Sequence, residues 1–169
     1  MAASIFLLAA CNNEKKADEG LKEEKMADNA EAKEEKNKET ALASVRALIA
    51  GDAEATLKDV AAVDYGDGSM PAVKSKDSLL VMVKSWRESL SDYKGDNLMA
   101  LADGDYVAVF GEWSATFKDD VMGMKTAGKK VRINDVDIFK FNREGKITEH
   151  RNVQSSAEMM KQLGVSTPK

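Results

Sequence analysis

One cysteine, one histidine and two prolines are all that the 169 residues contain of those types. A single Cys excludes an intrachain disulfide and any metal cluster built on several cysteines. A single His excludes paired-histidine metal sites, although a Ser-His-Asp triad would need only one. No apolar run approaches the roughly 18 residues of an ordinary membrane-spanning helix. Excess positive charge is lacking too. Lys and Arg number 25 against 29 Asp and Glu, so no basic field exists to hold nucleic acid or an anionic membrane surface. There is no GxGxxG spacing and no Gly-Lys-Ser/Thr ending. The run Gly66-Asp67-Gly68-Ser69-Met70-Pro71 therefore reads as a turn, not a phosphate loop. Nothing in these counts implies a metal or another cofactor.

What is present falls into three pieces. Residues 1–11 carry no charged side chain, and Ile5 to Ala10 form a short apolar run before Cys11. That pattern suits the end of a secretory apolar region followed by small residues. Leu8-Ala9-Ala10-Cys11 resembles a bacterial lipobox. The resemblance implies that Cys11 becomes the lipidated first residue, anchoring the protein to a membrane of the cell envelope, periplasmic or surface-exposed. No Lys or Arg precedes the apolar run, so a working signal of this kind would begin upstream.

Residues 12–40 hold seven Lys and ten acids, with Leu21 and Met26 as the large apolar residues. Such a tract cannot bury enough surface to offset the entropy of ordering, which predicts a solvated tether, disordered or transiently helical. A helix running on into the first helix of the domain is the alternative.

Residues 41–169 are nearly neutral, with 18 basic and 19 acidic residues, and they hold nine of the ten aromatics. About 130 residues suffice for one core. Leu42, Val45, Leu48 and Ile49 recur at helical spacing, and Gly51 ends the run. Asp52 is placed to cap a short helix through Val60, and Ala61 to Tyr65 reads as a strand. Ser75 is placed to cap a third helix, with Leu79, Val83, Trp86 and Leu90 as its apolar stripe. From there the period becomes two. Strands are expected over 94–103, 105–118, 130–142 and 146–154, with a hairpin at Asp103-Gly104-Asp105 and a mobile loop over 119–130. Gly111 inside a strand predicts a bend or a close approach. The apolar phase slips between Ile138 and Phe139, which predicts a bulge. Ala157 to Leu163 reads as a final helix. The fold class is α+β: a strongly curved antiparallel sheet of four to five strands, wrapped on three N-terminal helices into a cone-shaped pocket, with a short C-terminal helix.

Asp137-Ile138-Phe139-Lys140-Phe141-Asn142-Arg143-Glu144-Gly145-Lys146-Ile147-Thr148-Glu149-His150, with the closing Gln162-Leu163-Gly164, resembles the signature of SnoaL-like domains. The opening helix ending in Gly51-Asp52 and the helix carrying Trp86 are similar too. These domains belong to the nuclear transport factor 2-like, cystatin-like superfamily, and the resemblance spans about residues 41–165. It implies the fold more than an activity, because the superfamily holds cyclases, isomerases, dehydratases and many non-enzymes. Two departures matter. Arg151-Asn152 stand where many relatives have Trp-Asp. Polyketide-cyclase relatives place an acid/base Asp seven residues before the Gln of Gln-Leu-Gly, and that position here is Ser155. A serine without a base cannot do carboxylate work, so cyclase chemistry is not expected.

Within the domain, Thr148, His150, Asn152 and Gln154 share one face of the last strand. If that face lines the cone, His150, Asn152 and Gln154 are ligand-binding candidates, with Trp86, Trp113 and Tyr65 as further wall residues. His150 alone titrates near neutrality when unperturbed. Asp135 and Asp137 share a face about 7 Å apart, and surface or rim placement is expected for them. Glu112 is expected to face outward. Asp64 and Tyr65 cannot form a paired base and donor, since neighbours on a strand face opposite sides. Met122 and Met124 are candidates for a flexible lid. The reading is thus an envelope lipoprotein whose domain binds a small apolar molecule or a partner protein without catalysis. Two alternatives stand beside it: a small isomerase, dehydratase or hydrolase using a pocket His or carboxylate, and a structural homodimer module, since relatives often pair through the outer sheet face.

Overall fold

The computed structural model describes residues 11–120 and 124–164, with side chains from residue 25 onward. Leu8 to Ala10 of the lipobox-like run and Met122 of the expected lid lie outside the described residues. Two units are distinguished, Met1–Lys33 and Glu34–Lys169.

The first unit holds the start of helix α1 (Cys11–Ala50). Its charged sequence makes no apolar stripe, and Met26 is exposed. The tract expected as a tether is therefore helical, as in the alternative reading, and α1 crosses the expected boundary at residues 40/41 without a break. No helix among the described residues is long and apolar enough to cross a membrane.

In the second unit α1 continues and becomes amphipathic. Asn37, Ala41, Ser44 and Val45 are buried, so the ordered domain begins before residue 41. Gly51 at φ +91° ends the helix in the left-handed region that glycine enters without steric cost. Helix α2 (Ala53–Val60) follows, although Asp52 makes no side-chain cap bond. Strand β1 (Ala61–Asp67) runs two residues beyond the expected strand. Helix α3 (Lys76–Glu88) has the expected Ser75 cap, completed by Ser78 into a reciprocal box. Its stripe is only partly inward. Leu79 and Val83 are buried, Trp86 is 39% exposed, and Leu90 already belongs to the next strand.

Strands β2 (Leu90–Asp103), β3 (Tyr106–Phe117), β4 (Lys130–Phe141) and β5 (Ile147–Gln154) form an antiparallel run, and β1 joins its far edge parallel to β5. The sheet order is β1-β5-β4-β3-β2. Helix α4 (Ser156–Gln162) closes the chain. β2 begins four residues earlier than expected because two irregularities conceal its period. Its register with β3 shifts between Ser91 and Lys94 and between Asp96 and Met99, where Asp92 (φ +54°) and Asn97 (φ +56°) take left-handed backbone. Asp and Asn tolerate that region better than other non-glycine residues. Bulges of this kind bend a sheet.

The bulge expected near Ile138–Phe139 is not there. β3 and β4 pair without interruption from Tyr106↔Lys140 to Thr116↔Lys130. The one shift between β4 and β5 lies between Lys140 and Phe141, where Thr148 is the extra residue of β5. The inner face of β4 is instead Val131, Ile133, Asp135, Asp137, Phe139 and Phe141. Two aspartates in an apolar row imitate a phase change.

The core joins Ala41 and Val45 of α1, Leu57 of α2, Leu79 and Val83 of α3, and Val107, Val109, Trp113, Phe139, Phe141 and Ile147 of the sheet. On the outer face Met99, Leu101, Tyr106 and Val153 are exposed. Gly111 is the close approach that its sequence position suggested. A β-carbon there would lie 2.6 Å from the Trp113 ring and 2.8 Å from Leu98. Because that ring is rigid and buried, Gly111→Ala should destabilise the domain by about 1–3 kcal/mol, the usual cost of overpacking, read as a lower urea midpoint. An unchanged midpoint would show that Trp113 is free to move.

Candidate functional site

Alternation and register place the polar residues. On β1, Tyr65 and Asp67 share the inner face. The parallel pairing of β1 with β5 sets Asp67 beside His150, and β4 sets Phe139 on the other side of that histidine. Asp137 then lies across from Asn152, and Asp135 across from Gln154. Residues distant in sequence thus meet on one concave patch of the sheet.

Asp67 lies deepest, its side chain without solvent exposure. Its Oδ1 accepts from the backbone N–H groups of Ser69 (2.9 Å) and Met70 (2.8 Å). Its Oδ2 accepts from the Tyr65 hydroxyl at 2.9 Å and meets His150 Nδ1 at 2.9 Å. The other ring nitrogen, Nε2, meets Asp137 Oδ1 at 3.0 Å. Both nitrogens of His150 therefore face carboxylate oxygens. A neutral imidazole would set a lone pair against one of them, so the ring is held as the cation with both nitrogens donating. Burial works against that charge. The hydrogen bonds and negative charges of Asp137 and Asp67 outweigh it, and the His150 pKa is pushed up to about 9. For Asp67 burial alone would raise the carboxyl. Bonds from His150, Tyr65 and Met70, with the His150 charge, hold it below its ordinary value.

Asp135 sits differently. Its Oδ2 accepts from Asn152 Nδ2 at 3.2 Å and its Oδ1 from the Val136 N–H at 2.7 Å. Burial and the nearby charge of Asp137 push its carboxyl up, and these neutral donors, with the His150 charge, only partly oppose them. Tyr93 belongs to the same electrostatic neighbourhood. Burial, Asp137 and Asp135 push its hydroxyl well above the ordinary range. Its ring meets Trp86 edge-on at 4.9 Å between centroids, and the Arg87 guanidinium lies 5.6 Å from its centroid. The turn after β1 is latched to β5, with the Gly68 N–H donating to the His150 carbonyl (2.7 Å) and the Asn152 N–H to Ser69 Oγ (2.9 Å).

Of the sequence candidates, His150, Asn152 and Gln154 lie together on the inner face. Tyr65 is buried with its hydroxyl on Asp67, and Trp113 is buried over Gly111. Trp86 is not a core wall residue. It packs on Tyr93 with 39% of its surface exposed. Asp135 and Asp137 are part of the cluster, contrary to the expected surface placement. Glu112 faces outward and pairs with Arg132. Asp64 is exposed, on the opposite side from Tyr65. Ser155 caps α4 by accepting from the Glu158 N–H at 3.2 Å. Cys11 is the first residue of α1. Met124 is half-buried at an isolated bridge. Asp67 and Tyr93 were not among the sequence candidates. Alternation from Tyr65 would have found Asp67, had the Gly-Asp-Gly run not read as a turn. Among the described residues no group of His, Cys, Asp and Glu is arranged to hold a metal ion. An open groove of about 450 Å³ beside Phe110, Val136 and Val153 also takes in Gly111 and Asp135.

The linkage has a definite sign. A histidine whose pKa is raised on folding stabilises the fold fully below about 6.5, and that gain is lost as pH climbs through about 9. Asp67, with its pKa lowered, stabilises above its ordinary 3.8 and loses that gain on further acidification. The urea midpoint should therefore fall between pH 6.5 and 9, and His150→Gln should flatten that limb. His150 is the only histidine, so its ring resonances also report the titration directly. A ring that titrates near 6.5 would contradict the bracketed cation.

A search of curated proteins finds no significant match. Solved structures share the fold. TsrD from Streptomyces laurentii aligns with a TM-score of 0.64 at 21% identity, over 80% of this chain and 97% of that one. A protein from Xanthomonas campestris pv. campestris aligns with a TM-score of 0.69 at 16% identity, over 78% and 98%. A SnoaL-like polyketide cyclase from Agrobacterium tumefaciens str. C58 aligns with a TM-score of 0.62 at 18% identity, over 74% and 95%. The family model for SnoaL-like polyketide cyclase matches residues 38–163, most of the sequence, and with the curled sheet already described this shows that the chain belongs to the SnoaL-like family.

Proposed function

We propose that the domain is a small-molecule enzyme that transfers a proton on an organic substrate held in the curl of its sheet, in the manner of an isomerase, dehydratase or cyclase. One observation carries this reading: an imidazolium bracketed by two carboxylates, with a third carboxylate beside them, on a wall where folding alone would favour hydrocarbon. Buried ion pairs are weak contributors to stability, and apolar residues of similar volume commonly serve as well. Clustered titratable groups with displaced proton affinities are typical of sites that handle protons. The cyclase name of the family and of the Agrobacterium relative points the same way. The charged wall also argues against a wholly apolar ligand and so moves this reading ahead of binding without catalysis.

Proton abstraction can be detected before the natural substrate is known. Small ketones and β-keto esters in deuterated buffer should exchange their acidic C–H protons faster with the domain present, by about the 10²–10⁴-fold of general acid–base catalysis. Asp135→Asn/Asp137→Asn should abolish the acceleration. A panel member that binds in the curl without accelerated exchange would return the domain to the class of binding modules.

We further infer that Cys11 carries a lipid and that the charged helix behind it spaces the domain from an envelope membrane. The support is the apolar, small-residue run before Cys11 and the charge-rich tract after it. In a bacterial host, with a functional leader supplied, wild type should sediment with membranes and Cys11→Ser should be released. Equal partitioning of the two would refute the anchor.

A further inference from the structure

We propose that Asp135, not His150, is the group that accepts and returns the substrate proton, while His150 serves as a fixed cation between Asp67 and Asp137. This rests on the proton-transfer reading above and assigns its residue. His150 has no free nitrogen: Nδ1 is on Asp67 and Nε2 on Asp137. To act as a base it would first have to lose a proton while facing two carboxylates. To act as an acid it would leave a lone pair against one of them. Asp67 has no exposed side-chain surface and receives four hydrogen bonds, so no substrate atom reaches it. Asp137 reaches solvent, but its Oδ1 is engaged by His150 Nε2 at 3.0 Å, so that oxygen is not open to a substrate.

Asp135 alone of the three receives only neutral donors, Asn152 Nδ2 and the Val136 N–H. It is half-buried, and its strand partner is Gly111, over which the Trp113 ring lies. Asp137 on its own strand, His150, Asn152 and Gln154 on β5, and Tyr93 on β2 are the polar groups around it. Burial and the charge of Asp137 oppose its negative charge, and the His150 cation offsets part of that effect. A carboxyl so placed takes up a proton more readily than an ordinary aspartate, which is what a carrier that must also return the proton requires. The step balances within the site. A substrate C–H bond breaks, its electron pair stays on the substrate as carbanion or enolate, and an O–H bond forms on Asp135. The neutral acid then gives that proton back at the same or another position. Asp135 also pairs in register with Gln154, the neighbour of Ser155. The carboxylate that Ser155 cannot supply is thereby offered by the adjacent strand.

The test compares wild type, Asp135→Asn, Asp135→Glu and Asp137→Asn in the deuterium-exchange assay, with the His150 ring resonances as a check on the bracket. Asp135→Asn should lose exchange by about 10²–10⁴-fold with the ring still charged at neutral pH. Asp135→Glu should recover part of it, and Asp137→Asn should lose less than Asp135→Asn. The rate should follow a carboxyl titration and not the ring's transition near pH 9. In ligand-free protein, carbon-13 carboxyl shifts should show Asp135 titrating above its ordinary value and above Asp67. Exchange that survives Asp135→Asn, or that tracks the ring, overturns this assignment and leaves the enzyme reading standing. Asp67 titrating above Asp135 overturns it whether or not turnover is seen. A wild type that binds panel members and exchanges none of them overturns the enzyme reading and this assignment together.

Discussion

The bracket of His150 between Asp67 and Asp137 holds three strands to one arrangement. Asp67 comes from β1, the only parallel member of the sheet, and His150 and Asp137 come from β5 and β4. A short parallel edge strand is weakly held by its own ladder, and the register of β1 against β5 shifts between Ala61 and Gly66. The ion pair and the turn that follows it supply what the ladder lacks. Asp67 binds Ser69 and Met70 through one oxygen and His150 through the other. The turn then binds β5 through Gly68 and Ser69. One buried carboxylate thus shapes a loop and fixes the charge of a histidine. Removing His150 leaves the buried charge of Asp67 without its cation, which costs far more than the net worth of the pair.

The curl of the sheet makes that patch concave. β2 bends at two bulges where Asp92 and Asn97 take left-handed backbone, and β5 carries one extra residue at Thr148. Gly111 lets the Trp113 indole fold over β3, and Gly95 faces Ile49 of α1 at a distance that leaves no room for a β-carbon. The irregular positions are therefore what allow a long antiparallel sheet to close upon helices instead of remaining open. The same closure sets apolar walls around the charged patch and raises the proton affinity of any carboxyl left without a cation.

Much of this was legible in the sequence, and the misreadings share a cause. Spacing located α2, α3 and the second half of α1, the Asp103–Asp105 hairpin and the strand that carries His150, because in those segments local preference and tertiary placement agree. The reading failed where a charged residue occupies an inner position that alternation reserves for an apolar one. Asp135 and Asp137 occupy inner positions of β4, and a rule that seeks apolar alternation saw a bulge in their place. Asp67 sits between two glycines and read as part of a turn, although it is the last residue of β1 and the deepest of the site. Trp86 erred in the other direction. Its helical spacing from Val83 suggested the core, but α3 ends two residues later, and the indole lies at the margin against Tyr93. The charge of His150 was beyond sequence reasoning, since it depends on two aspartates 83 and 13 residues away.

The departures from the family pattern take on a different meaning against this geometry. Ser155 and Asn152 stand where acidic residues occur in relatives, which in sequence reads as a site dismantled. In space Asn152 donates to Asp135, and Ser155 is bound to the first turn of α4. Neighbouring strands lie about 4.8 Å apart, so a carboxyl on the inner face of β4 can reach nearly the same volume as one at the end of β5. A curved sheet fixes the wall and its depth but leaves open which strand supplies a given group. Here the amide of Asn152 hydrogen-bonds a carboxylate from the next strand instead of contributing a second negative charge beside it. Exchanging an acid for an amide on one strand while an acid occupies the next keeps the number of buried charges low, and burial penalises each further charge that lacks a partner. Residues 151–155 therefore have to be read together with Asp135 and Asp137, which face them from β4.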